Sequence, residues 1–175
     1  MGLQPPGSVS RPIFISYRRQ DAEGQAGRLY DDLARKFGDD SVFMDVAAIE
    51  IGRDFRKAID DSVAECSVLL AIVGNNWIDA KYDVGQRRIE NPGDFVRLET
   101  VAALKREIPV IPVLVGGAKM PRPEQLPDDL TDLAYRNGIE LTHARWDYDV
   151  EALIRAVQRY LGEPPGPAGQ CDNRT

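Results

Sequence analysis

Apart from the leading Ser67, two stretches of the chain are apolar at every position, SVLLAIV at residues 67–73 and VIPVLV at residues 110–115. A strand with one face in water alternates apolar and polar residues, whereas a strand covered on both faces has no reason to alternate. The two stretches therefore predict strands that are buried on both faces, as in a parallel sheet.

Shorter apolar or β-branched runs accompany these two stretches and alternate with helical patterns. The five predicted strands are Pro12–Ser16, Ser41–Met44, Ser67–Val73, Pro109–Val115 and Ile139–Leu141. Strands that alternate with helices form βαβ units with right-handed crossovers. We therefore expect a five-stranded parallel sheet covered by helices on both sides.

The helical stretches carry apolar stripes at a spacing of 3.6 residues and have recognisable ends. The first stripe runs from Ala26 to Phe37 and ends at Gly38, a typical residue beyond a helix C-terminus. The third helix is predicted to start with Asn91 as its N-cap. For the last helix, Asp147 or Asp149 is the predicted cap, and a short helix is expected within residues 126–135.

The composition is that of one globular domain. The 175 residues suffice for a single core and are too few for two ordinary domains. A net charge of −6 argues against nucleic acid as the main partner, because phosphate binding needs a basic surface. No apolar run approaches the roughly 20 residues of a membrane-spanning helix. We expect neither nucleic acid nor a membrane among the partners.

Cysteine and histidine are too few and too dispersed for a disulfide framework or a metal site. The chain contains Cys66, Cys171 and the single histidine His143. No group of these residues has the spacing of metal ligands, and isolated cysteines suit a reducing compartment. We expect a cytoplasmic protein without a bound metal.

Both ends of the chain are rich in glycine, proline and polar residues. Residues 1–10 are predicted to be a disordered tail, residues 11–161 the folded domain, and residues 162–175 a Pro/Gly-rich tail or linker. A linker of this composition predicts a neighbouring domain, such as a sensor, in a longer parent protein.

Three polar stretches follow predicted strands, at residues 17–25, 45–54 and 74–94. Ligands of parallel sheets bind at the carboxyl ends of the strands, and a long loop in a compact domain is often functional. The chain has neither a Gly-x-Gly-x-x-Gly nor a Walker-type loop, so nothing favours a dehydrogenase or a nucleotide triphosphatase.

Several sequence boxes, in this order, resemble those of TIR domains, particularly of the bacterial type. They are IFISYRRQD at 13–21, VFMD at 42–45, IEIGRDF at 49–55, DFVRLE at 94–99 and IPVIPVLV at 108–115, followed by Met120-Pro121 and Leu126-Pro127. The resemblance extends from about Pro12 to Leu161. It implies an α/β, flavodoxin-like three-layer fold in which the loop after the second strand is the family's BB loop.

The resemblance also implies an activity, hydrolysis of NAD+ at the bond between nicotinamide and ribose, with Glu99 as the catalytic residue. Breaking that bond builds positive charge on the ribose, as in glycoside hydrolysis. Nicotinamide is a good leaving group, so one carboxylate against the ribose is the main requirement. Catalytic relatives usually have tryptophan four positions before the glutamate, where this chain has Phe95. Alternatively, Glu99 is a solvated helix carboxylate paired with Arg97 or Arg106.

Further candidates for substrate binding follow the first and second strands. Ser16, Tyr17 and Arg18 end the first strand, where an arginine could pair with a pyrophosphate or be an ordinary solvated charge. Asp45 is expected first to cap the BB loop and second to contact substrate. Arg53 could reach either the substrate or a neighbouring subunit.

Two aromatic residues complete the set of candidates. Trp77 follows the third strand, where its ring could stack on nicotinamide or adenine or simply cover the edge of the sheet. Phe95 falls on an apolar stripe, so it could belong to the core, to the wall of a pocket, or to both. The charge run of Arg87, Arg88 and Arg97 is interpreted as a solvated face.

Two functions from different classes remain open on the sequence. In the first, the domain is an NAD+ glycohydrolase, with NAD+ as substrate and no further cofactor, that acts in bacterial-type immune or cell-death signalling. Some relatives form cyclised ADP-ribose, and activity in the family commonly depends on TIR–TIR self-association, including filaments. In the second, the domain is a non-catalytic TIR–TIR interaction module. Glu99 favours the enzyme, because adaptor-type domains generally lack a glutamate there.

Overall fold

The computed structural model describes residues 12–44 and 49–162. The predicted tails at residues 1–10 and, apart from Gly162, 162–175 lie outside these ranges. The main elements, in chain order, are β1 (Ile13–Ser16), α1 (Arg19–Phe37), β2 (Val42–Phe43), α2 (Phe55–Ala64), β3 (Val68–Val73), α3 (Phe95–Lys105), β4 (Val110–Val115), β5 (Ile139–Leu141) and α4 (Trp146–Leu161). Short 3₁₀ helices cover Asp39–Ser41, Arg88–Glu90, Pro123–Gln125 and Asp128–Tyr135.

The strands form one five-stranded parallel sheet in the order β2-β1-β3-β4-β5. The register pairs Phe14 of β1 with Leu69 of β3, and Leu70 of β3 with Ile111 of β4. All five predicted strands are present. β5 has the predicted ends, and the other strands are shorter than predicted by at most one residue at each end. The predicted α/β fold with a parallel sheet is confirmed.

The sheet separates two hydrophobic cores, because successive side chains of a strand point to opposite faces. Ile13 and Ile15 of β1 face the core beneath α1 and α4, whereas Phe14 faces the core beneath α2 and α3. Every residue of β3 is buried, as its uniformly apolar sequence requires. The result is three layers, with the carboxyl ends of the strands at one edge.

Helix α1 starts earlier than its apolar stripe suggests. Its stripe residues Ala26, Leu29 and Leu33 are buried, and the helix ends before Gly38, which has a φ of 95°. The segment 19–25 was predicted as a loop but forms the first turns of α1, with a kink at Ala22. The carbonyl of Arg18 begins the helix by accepting hydrogen bonds from the amides of Asp21 and Ala22.

The predicted starts of α3 and α4 were wrong. Asn91 does not cap α3, because its side chain accepts a hydrogen bond from the Gly93 amide and forms a local turn; Asp94 is the N-cap. Neither Asp147 nor Asp149 caps α4, which begins at Trp146. Asp149 instead accepts two hydrogen bonds of 2.8 Å from the amide and hydroxyl of Thr142, and these bonds lower the pKa of Asp149.

The start of α1 holds the loop that follows β3. Asp21 accepts hydrogen bonds from the amides of Gly74 and Asn76, at 2.9 and 2.7 Å. A Cβ atom at Gly74 would lie only 2.5 Å from the Asp21 carboxylate, so glycine is the residue that permits this approach. The loop therefore leaves the sheet in a fixed direction.

A buried ion pair joins the end of β1 to the start of α3. The Arg18 Nη1 and Nη2 atoms donate to the two carboxylate oxygens of Asp94 at 2.9 and 3.0 Å, and both side chains are at most 5% exposed. Asp94 also accepts a hydrogen bond from the Arg97 amide at 3.1 Å. One carboxylate thus both caps α3 and binds the loop after β1.

In the ranges that the structure describes, no helix is long and apolar enough to cross a membrane.

We expect Gly24→Ala and Gly27→Ala each to raise the free energy of unfolding by about 0.4–1 kcal/mol. Both glycines lie inside α1, and a Cβ atom at either meets nothing within 4 Å. Alanine therefore restricts the unfolded chain without straining the helix. Urea denaturation measures the change. Gly38→Ala is the matched control and should destabilise, because a φ of 95° strains any residue with a side chain.

We expect Asp94→Asn to lower the free energy of unfolding by about 3–5 kcal/mol, because the buried Arg18 charge loses its counter-charge. Asparagine still caps a helix, so the loss reports on charge rather than on capping. Adding Arg18→Met to this variant should recover much of the stability. Equal stability of Asp94→Asn and the wild type would contradict the assigned role of the pair.

Candidate active site

Glu99 lies on α3 with its carboxylate turned towards the end of β1. The Ser16 hydroxyl donates to Oε2 of Glu99 at 2.7 Å, and Glu99 is only 7% exposed. Ser16 is the last residue of β1 and pairs with Ala71 of the central strand β3, which fixes its position at the edge of the sheet. The solvated interpretation of Glu99 was wrong, because the side chain is buried and Arg106 binds Asp60 instead.

Glu99 lines a cavity of about 580 Å³ at the carboxyl edge of the sheet. This volume is typical of small-molecule sites. Residues from the β1–α1 junction, the loop after β3 and the start of α3 surround it, together with Ile49. The lining residues are Tyr17, Arg18, Arg19, Gln20, Ile49, Tyr82, Arg88, Gly93, Asp94, Phe95, Val96 and Glu99. The cavity therefore brings a buried carboxylate, aromatic rings and cations together.

Arg18 lines the cavity and is buried, so it is not the solvated charge of the alternative interpretation, whereas its pairing with a pyrophosphate stays a prediction. Both terminal nitrogens of its guanidinium bind Asp94, so a buried carboxylate balances its charge in this conformation. The side chain thus holds the wall of the cavity through Asp94.

Two phenylalanines form an aromatic ledge beside the cavity. Phe95, one turn before Glu99, is 50% exposed, and Phe55 at the start of α2 is 38% exposed. Their ring centroids are 5.3 Å apart with an interplanar angle of 33°. Of the alternatives for Phe95, the structure places it at the pocket wall and not in the core. Phe55 was not a candidate in the sequence, because it begins an apolar helix stripe.

Two further predicted substrate contacts, Trp77 and Arg53, do not line the cavity. Trp77 is 1% exposed and packs in the core beneath α2 and α3, so it cannot stack on a ligand in this conformation; the sheet-covering alternative fits. Arg53 is exposed and binds Asp61 at 2.8 Å. Asp45 lies outside the described residues, so its two predicted roles stay predictions.

Tyr82 and Arg88 line the cavity and were missed by the sequence analysis. Arg88 belongs to a charge run that was interpreted as solvated, and Tyr82 had no motif around it. Arg87 of the same run pairs with Glu90, and Arg97 binds Asp129. Arg88 reaches the cavity only because of the way the loop folds. No pattern in the surrounding sequence distinguished it from Arg87 and Arg97.

The end of the BB loop is held by a short-range ion pair. Asp54 caps α2 by accepting a hydrogen bond from the Arg56 amide at 2.9 Å, and the Arg56 side chain binds the same carboxylate. These hydrogen bonds lower the pKa of Asp54 to about 2. Across the described residues, no group of three or more His, Cys, Asp or Glu side chains could hold a metal ion.

Comparison with known proteins agrees with this geometry. The model of the TIR domain family matches residues 13–155. The NAD(+) hydrolase SARM1 of Danio rerio is 31% identical over 157 residues, which are 89% of this chain and 20% of that protein. The NAD(+) hydrolase sarm1 of Drosophila melanogaster is 31% identical over 150 residues, 85% of this chain and 10% of that protein. The chain thus spans a fifth or less of these relatives.

Solved structures show the same fold at low sequence identity. The TIR domains of the activated Roq1 resistosome superpose with a TM-score of 0.61 at 16% identity, covering 85% of this chain and 99% of that one. A TIR-STING receptor from C. gigas gives a TM-score of 0.52 at 15% identity, covering 81% of this chain and 38% of that one. Since the family model spans β1 to α4, the chain belongs to the TIR domain family.

Proposed function

We propose that this TIR domain hydrolyses NAD+ at the bond between nicotinamide and ribose, with Glu99 as the catalytic residue. The observation that carries the proposal is the buried Glu99 carboxylate, held by the Ser16 hydroxyl at 2.7 Å in the wall of a cavity of about 580 Å³. Two relatives named as NAD(+) hydrolases support it at 31% identity.

The reaction needs a negative charge close to the ribose and a surface for the departing ring. Nicotinamide leaves with both electrons of the C–N bond, and C1′ of the ribose becomes an oxocarbenium-like centre. The fixed Glu99 carboxylate stabilises that charge without reorganising. Water then adds to C1′ and loses a proton, which gives ADP-ribose. Attack by an adenine nitrogen instead of water would give a cyclic product.

The aromatic ledge of Phe55 and Phe95 suits the leaving group. Stacked aromatic rings prefer offset or tilted arrangements with centroids several ångströms apart, and a partly exposed pair offers a face to a third planar ring. Phe95 takes the position at which catalytic relatives usually have tryptophan. We assign nicotinamide to this ledge, one helical turn from Glu99.

Self-association is the second element of the proposal. Ile51, in the loop before α2, is fully exposed to solvent. Single exposed apolar side chains are common on protein surfaces, so the support for this element is the resemblance to TIR domains, whose activity commonly depends on self-association. We propose that TIR–TIR contacts through this loop promote activity in a signalling or immune setting. In the alternative function, the same contacts form and no substrate is cleaved.

We expect Glu99→Gln and Glu99→Ala to reduce nicotinamide release from NAD+ by at least about 100-fold, the loss typical for a group that stabilises transition-state charge. Glutamine keeps the shape and can still accept from Ser16. Nicotinamide is measured by chromatography at protein concentrations at which assembly is demonstrated by light scattering.

Glu151→Gln, an exposed position on α4, is the matched control and should cleave NAD+ like the wild type. Unchanged cleavage by a folded Glu99→Gln variant would reject Glu99 as the catalytic residue. An assembled wild-type protein without any nicotinamide release would favour the interaction module.

A further inference from the structure

The loop after β3 carries Arg88 to the cavity on a well-defined backbone. Within the loop, the Tyr82 amide donates to the Gln86 carbonyl at 2.9 Å, and Lys81 and Arg87 form an antiparallel bridge. The Arg88 amide donates to the Ala80 carbonyl at 2.7 Å, and the Arg88–Glu90 turn follows. Arg88 is therefore anchored by its main chain at the cavity wall.

The Arg88 side chain is held by an aromatic ring and by no acid. Its guanidinium carbon lies 4.8 Å from the centroid of the Tyr82 ring, a cation–π contact. Its Nε atom is buried and has no hydrogen-bond partner, and no carboxylate in the described parts of the chain pairs with it. A partly buried cation that lacks a partner is costly, and this cost is offset when an anion binds.

The charges around the cavity identify Arg88 as the group that such an anion meets. Arg18 and Asp94 cancel each other as a buried pair, and Glu99 adds a negative charge. Arg19 contributes a cation at the exposed start of α1. Arg88 differs from Arg18 in having no carboxylate partner among the described residues, and Tyr82 orients the plane of its guanidinium. A planar, oriented guanidinium is the typical partner of phosphate oxygens.

We propose that Arg88 is a substrate-binding residue that pairs with a phosphate group of the dinucleotide. This inference rests on the proposed function, because it assumes that the same cavity takes NAD+. It divides the cavity into a part for the ribose and nicotinamide at Glu99 and the ledge, and a part for phosphate at Arg88. The Tyr82 ring supports the guanidinium in the second part.

The test is equilibrium binding of ADP-ribose and of adenosine, which lacks phosphate, measured by calorimetry. We expect Arg88→Gln to weaken ADP-ribose binding about 10-fold or more, the range for a charge-assisted hydrogen bond. Arg88→Lys should keep part of the affinity. Adenosine should bind the wild type and Arg88→Gln equally. Arg87→Gln is the matched control, because Arg87 is paired with Glu90 and does not line the cavity.

The outcomes separate this inference from the proposed function. Equal ADP-ribose affinity of Arg88→Gln and the wild type overturns the phosphate subsite, even if NAD+ is cleaved and Glu99→Gln is inactive. Weaker binding by Arg88→Gln supports the subsite, even if the assembled protein releases no nicotinamide. A wild-type protein without measurable affinity for ADP-ribose overturns it as well, as does equal weakening by Arg87→Gln.

Discussion

The bidentate ion pair between Arg18 and Asp94 holds the cavity together. It fixes the start of α3 against the loop after β1, and Glu99, five residues further along the chain, accepts a hydrogen bond from Ser16 at the end of β1. Two contacts at that spacing leave α3 little freedom to rotate or slide. Because a buried charge pair contributes little net stability compared with apolar packing, its importance lies in geometry. The Glu99 carboxylate is thereby held in a fixed position before any ligand arrives.

The parallel sheet could be predicted because burial on both faces leaves a direct record in the sequence. β3 is apolar at each position, and β4 is nearly so. The helix starts were harder to predict from the sequence. Asn91 and Asp94 are both good N-cap residues for α3, and the tertiary contact between Asp94 and Arg18 favours Asp94. The TIR resemblance supplied Glu99, whereas nothing local indicated that Ser16 would be its hydrogen-bond partner 83 positions away.

The side chains whose positions were predicted wrongly share one physical cause. The position of a residue in a loop does not determine the direction in which its side chain points. Trp77 and Arg88 both follow β3, yet the first turns into the core and the second towards the cavity. Loop direction depends on hydrogen bonds between distant backbone groups, and those leave no periodicity in the sequence. The fold is likewise shared with proteins of very different sequence, so function has to be inferred from the side chains at its edge.

The attachment of the long loop has an evolutionary consequence. One end is held by Asp21 through the amides of Gly74 and Asn76, and the other ends at Asp94, bound to Arg18. Both anchors belong to the rigid frame and not to the loop itself. Insertions, deletions and substitutions at the exposed positions 83–86 of the loop can therefore accumulate without displacing Glu99. Selection can reshape what the cavity accepts while the carboxylate stays in place, so ligand preference and chemistry can diverge independently.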